Sequence, residues 1–226
     1  MIRFARVPEP PDFDAKVRDP GTQWLRSRRH DKGRLPSLWS RVLPELRKGF
    51  HDLCAYTATY QASPGTVDHY VPISRDSRQA FEWSNYRYAA PWINAIKKDL
   101  GPEVVLDPHE VEDDWFELLL PSCQLVVTDA CPPERRGTAQ AMLNRLKLGH
   151  GEQVIRYRLE WLRMYREREL TFPALEKKAP LVARAILKEK AELRRKRASV
   201  RKRRGGGKRG TATKRATRAS VSKRRR

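Results

Sequence analysis

Between Thr66 and Asp99 the chain carries side chains whose types and spacing suit hydrolysis of a phosphodiester. They are an Asp-His pair at Asp68 and His69, an Asn at Asn85, and Asn94 followed by Lys97 and Lys98. Such hydrolysis needs a base to activate water and positive charge to offset what develops on the phosphate and the leaving oxygen. His69 is the candidate base, because an imidazole titrates near neutral pH. Asp68 and the amide oxygen of Asn94 are hard oxygen donors and suit Mg²⁺ or Mn²⁺, which need few protein ligands. Asn85 has both a donor and an acceptor, so it is expected to bridge backbone groups of the loop at 74–81 and hold His69 in place. Lys97 lies one helical turn after Asn94 and, with Lys98, is placed to touch the scissile strand, while Arg75 and Arg87 are candidates to grip flanking phosphates.

These groups converge only if a strand with the Asp-His pair, a loop, a second strand near Asn85 and a helix holding Asn94 assemble in that order. Adjacent strand residues point to opposite faces. Asp68 and His69 therefore serve one site only if the strand bends or ends there, and Pro72 fits an ending. Pro91 suits the first turn of the helix, and Gly101-Pro102 is its expected end. Upstream, residues 1–36 hold five prolines and read as an extended lead-in, with a short strand at 2–7 and a helical turn near Trp24. From Ser37, apolar residues at Leu38, Val42, Leu46, Phe50 and Leu53 have helical spacing, with Pro44 as a kink or a second start. Residues 54–60 are β-prone, and Ser63-Pro64-Gly65 punctuates them. Downstream, short strands are expected at 104–106, 115–120 and 124–128, then a helix capped by Thr138 and running to Leu148, then a longer one from Glu152.

The 226 residues suffice for one domain with a real core, and the formal net charge is +21. Residues 184–226 hold 20 Lys/Arg against two Glu, so +18 of that charge lies there and only +3 in residues 1–183. A block of like charge with Gly, Ser, Thr and Ala cannot bury a core, so disorder is expected from about Arg195 in a polyanion-seeking arm. The expected division is a domain at 1–183, with its ββα core at about 54–100, and a basic helix end and tail at 184–226. No apolar run approaches a membrane span, and MIRFARVPEP lacks a signal peptide's apolar region, so a cytoplasmic protein is expected. Cys54, Cys123 and Cys131 form no C-x-x-C pair and read as free thiols.

The motifs D-H-x-x-P at 68–72, W-S-N at 83–85 and N-x-x-K at 94–97 resemble the HNH endonuclease motif of the ββα-metal nucleases. The wider frame is similar to stand-alone HNH proteins of retron and Septu-type anti-phage systems. It comprises MIRF at the start, L-C-A-Y at 53–56, V-L-D-P at 105–108 and L-x-L-G at 146–149. The resemblance implies an α+β fold with a ββα-metal core, surrounding helices and a metal-dependent endonuclease acting on DNA. It implies Asp68 and Asn94 as metal ligands, His69 as general base and Asn85 as the loop-holding Asn. An ATPase is a candidate partner in the reading where the chain is an interaction subunit and the partner supplies the activity. Many such proteins hold structural zinc with two C-x-x-C pairs. Here Cys54 is matched by Thr57, and Ala90 and Ile93 stand where the second pair would be, so structural zinc is not expected. Two other classes stay open: a non-catalytic nucleic-acid-binding protein, and an interaction subunit whose partner supplies the activity.

Overall fold

The structure, a computed structural model, describes residues 1–27 and 35–206, with side chains through residue 200. It is of the α+β class, with helices around two small antiparallel sheets. The sheet that matters for the site is a hairpin of β1 (Thr66–His69) and β2 (Tyr86–Ala89), in the register Thr66 to Ala89 through His69 to Tyr86. Both strands are almost wholly buried although they carry Asp68, His69 and Arg87, and each of these polar side chains has a buried partner. The helices α2 (Leu43–Gly49) and α3 (Pro91–Lys97) pack against this hairpin.

Pro91 opens α3 at a position where its missing N–H costs nothing. The helix stops at Lys97, earlier than Gly101-Pro102 suggests, because Lys98 turns left-handed at φ 46° while its N–H still bonds to the Asn94 carbonyl. Pro44 starts α2 and does not kink a longer helix: residues Leu38–Val42 form a 3₁₀ turn, and α2 begins at Leu43.

The lead-in departs most from its sequence reading. Residues Asp14–Arg18 form a π-helical stretch that continues into α1 (Asp19–Ser27), so the turn expected near Trp24 is present but belongs to a longer helical run where an extended lead-in was expected. Pro20 lies inside this helical run, directly after its π-helical stretch, and Gly21 lets the ring of Phe81 approach so closely that a Cβ there would sit 2.2 Å from it. No strand forms at 2–7 or at 104–106. Instead the Phe4 N–H donates to the Pro108 carbonyl at 2.9 Å, and Trp83 Nε1 donates to the Val7 carbonyl at 2.8 Å. The β-prone run at 54–60 is mostly a turn, closed by a single bridge between Leu53 and Tyr60.

The second sheet pairs β3 (Phe116–Leu119) with β4 (Gln124–Val127), and α4 (Pro133–Arg145) packs on β4. Thr138 lies inside α4 and does not cap it, since Pro133 starts the helix five residues earlier. The helices α5 (Glu152–Arg166) and α6 (Phe172–Lys178) follow.

The chain divides into two compact units, 1–187 and 188–226. The last helix, α7, runs Pro180–Gly206. Disorder was expected from about Arg195, yet the backbone is helical to Gly206. Ala, Leu, Glu, Lys and Arg are strong helix formers, so a segment without a core can still be helical. The expected disorder of 207–226 lies outside the described residues.

Candidate active site on the β1–β2 hairpin

His69 ends β1 and is only 9% exposed. Its ring meets the edges of Trp39, at 4.7 Å between centroids, and Tyr86, at 5.2 Å. Its Nε2 lies 3.0 Å from the Ala80 carbonyl. A carbonyl can only accept, so Nε2 carries the proton, and in the neutral ring Nδ1 keeps its lone pair. Burial pushes the imidazole below its ordinary value of 6.5, which keeps it neutral near pH 7.

The Ala80 carbonyl is held where it is by the loop that joins the strands, and Asn85 closes that loop. Its Oδ1 accepts from the Val71 N–H at 2.7 Å, and its Nδ2 donates to the carbonyls of Val71 at 3.0 Å and Gln79 at 3.1 Å. Tyr86 also donates from its hydroxyl to the Ala80 carbonyl, at 2.8 Å.

Asp68, one residue earlier, faces other neighbours, as the pleat dictates. Its carboxylate is 1% exposed. Lys97 Nζ stands 3.0 Å from Oδ1, and the Tyr56 hydroxyl donates to Oδ2 at 2.6 Å. The same ammonium donates to the His69 carbonyl at 2.7 Å and to the Tyr70 carbonyl at 3.3 Å. Burial and the Asp68 charge push the Tyr56 phenol well above its ordinary value, so it stays a donor.

Asn94 shares α3 with Lys97, but its Nδ2 turns to the Val67 carbonyl at 3.2 Å and to Thr66 Oγ1 at 3.4 Å. No group of three or more His, Cys, Asp or Glu placed to hold a metal occurs among the described residues. As arranged, Asp68 and Asn94 do not fit Mg²⁺ or Mn²⁺. Both oxygens of Asp68 are engaged, one of them by a resident positive charge, and only the Asn94 amide oxygen remains as a hard donor.

The four basic residues assigned to nucleic acid are placed differently from one another. Arg87 is 2% exposed and forks onto Asp107, with Nε to Oδ1 at 2.8 Å and Nη2 to Oδ2 at 2.6 Å, so it does not present itself to a phosphate. Lys97 is fully buried against Asp68 and likewise faces no strand. Arg75 is exposed but paired with Glu103 at 2.5 and 2.6 Å. Lys98 is exposed at the end of α3. A residue two apart from a strand neighbour, or three apart on a helix, shares its face with the core as readily as with solvent, and the core claimed Arg87 and Lys97.

Compared with known proteins, the chain matches no family model and no curated protein. Sequence reasoning missed Tyr56, Trp39 and Asp107 as parts of this site. Tyr56 and Asp107 belong to the L-C-A-Y and V-L-D-P segments, which were read only as frame. Trp39 lies beside Leu38 on the first apolar face.

Proposed function

We propose that this chain is an HNH-type endonuclease that hydrolyses phosphodiester bonds in DNA. The observation that carries the reading is the 3.0 Å contact of His69 Nε2 with the Ala80 carbonyl. It commits Nε2 as the donor and leaves the lone pair on Nδ1, in a ring flanked by Trp39 and Tyr86. In the proposed step, Nδ1 takes a proton from water while the water oxygen bonds to phosphorus. The bond from phosphorus to the leaving oxygen breaks, and that oxygen leaves with the electron pair.

The order strand, loop, strand, helix and the positions of Asp68, Asn85 and Asn94 within it support the same reading. The +18 of residues 184–226 favours DNA as partner through release of counterions. An anti-phage setting follows from the resemblance alone, and an ATPase partner belongs to the alternative in which the chain is an interaction subunit. No helix is long and apolar enough to cross a membrane among the described residues, which is compatible with a cytoplasmic site of action.

A plasmid-nicking assay with the full chain in Mg²⁺ or Mn²⁺ tests the reading. His69→Ala should lower cleavage by about 10²-fold or more and leave DNA binding nearly intact. Equal cleavage by variant and parent would refute it. One observation favours a second reading, a non-catalytic nucleic-acid-binding protein: the double engagement of Asp68 by Lys97 and Tyr56. Binding without cleavage in any divalent cation is its signature.

A further inference from the structure

We infer that the cleft between α3 and α5 holds an unpaired nucleobase against Trp92, so that the chain prefers single-stranded DNA to duplex. The inference rests on the nuclease reading for the choice of DNA as ligand; the stacking site itself is argued from geometry.

Trp92 lies in the first turn of α3, the helix packed on β1, two residues before Asn94, whose amide bonds to the Val67 carbonyl of that strand. Its ring is stacked on that of Tyr157 from α5, with centroids 6.3 Å apart and planes 20° from parallel. Trp92 is half-buried and Tyr157 is 47% exposed, so one ring backs the other at the surface. A ring backed in this way has its orientation fixed before a ligand arrives, and loses little freedom on binding.

Trp92 also lines a cleft of about 530 Å³ together with Ile96, Lys147, Gln153, Val154 and Arg156. The lining divides by chemistry. Trp92, Ile96 and Val154 offer apolar surface to the face of a planar base, Gln153 has a donor and an acceptor for its edge, and Lys147 and Arg156 are cations for the phosphate it carries. Among the described residues, the side chains of Lys147 and Gln153 have no partner. Arg156 is paired with Glu152, which also lines the cleft, at 2.6 Å, but both are largely exposed. Such a surface pair is weak, so the guanidinium is free to turn to a phosphate.

In a duplex each base is covered by its neighbours on both faces, so a protein ring reaches only a base that is unpaired or flipped out. The basic residues of 184–226 would hold the phosphates of either form alike. A preference for the single strand therefore reports on the cleft and not on the tail.

Fluorescence anisotropy of the full chain in a chelator, where divalent-dependent cleavage is silent, tests this with a labelled dT strand and a duplex of the same length. The parent should bind the strand more tightly. Trp92→Ala should lose roughly tenfold on the strand and little on the duplex, and Trp92→Phe should keep most of the affinity because a ring remains. Equal losses on strand and duplex, or no loss on the strand, would overturn the inference. If circular dichroism shows Trp92→Ala unfolded, the parent decides: a strand carrying 5-iododeoxyuridine, irradiated on the protein, should crosslink to Trp92, and an adduct map without Trp92 would overturn the inference. Binding and cleavage are separate readouts. A strand preference that depends on Trp92, with equal cleavage by His69→Ala and the parent, refutes the nuclease reading and leaves the cleft standing. Cleavage that depends on His69 without such a preference does the reverse.

Discussion

Two buried ion pairs flank the same hairpin, and they are built differently. Arg87 and Asp107 meet as fork to fork, and Arg87 Nη1 also donates to the carbonyls of Ser84 and Tyr86, both at 2.8 Å. Asp107 further accepts the His109 N–H at 3.0 Å. This pair fastens β2 to the segment around Val105–Pro108, and its planar geometry admits no other ion. Lys97 and Asp68 meet at one oxygen, the other oxygen being taken by a neutral phenol. The Lys97 ammonium also donates to the His69 and Tyr70 carbonyls. The first pair is therefore a staple and the second a junction of one charge with three oxygens, although both read in the sequence as basic residues free for phosphate.

Breaking the staple should have the largest effect. Arg87→Met leaves the Asp107 charge buried without its partner and should cost about 3–5 kcal/mol in chemical denaturation. A loss within error of zero would mean that water reaches Asp107. Lys97→Met should cost less, because Tyr56 still serves Asp68. A loss in Lys97→Met equal to that in Arg87→Met would erase the distinction between the two pairs.

Asn85→Ala should come next, at about 1–3 kcal/mol, since it strands the Val71 N–H and the carbonyls of Val71 and Gln79. Its cleavage defect should exceed what the lost stability explains, because the Ala80 carbonyl that orients His69 loosens. A cleavage rate that tracks only the folded fraction would reduce Asn85 to a fold residue.

The smallest effect is that of pH on the parent. His69 and His109 are both lowered from their ordinary value of 6.5, chiefly by burial. Below 6.5 the unfolded chain takes up protons that the folded chain does not. Stability from these two residues is thus fully present above pH 6.5 and is lost as the pH falls from there toward their lowered folded values. Denaturation midpoints measured across that range should fall with acid, and His69→Phe should flatten the slope.

Much of this was legible in the sequence and some was not, for physical reasons. Pro91, the short strands at 115–120 and 124–128 and the helix start at Glu152 rest on local signals, and α3, β3, β4 and α5 lie close to where those signals put them. In the lead-in only a turn near Trp24 was legible, because five prolines argue against helix and Gly21 is there for the Phe81 ring. In the site, the chemistry of Asp68 and His69 was legible from residue type. What each one touches was not, since Tyr56, Lys97 and Ala80 come from three other segments of the chain.

The plasmid-nicking assay on the full chain puts the role of His69 to its most direct test. The account predicts that His69→Ala cleaves about 10²-fold more slowly or worse while DNA binding is kept. Equal cleavage by variant and parent would contradict it.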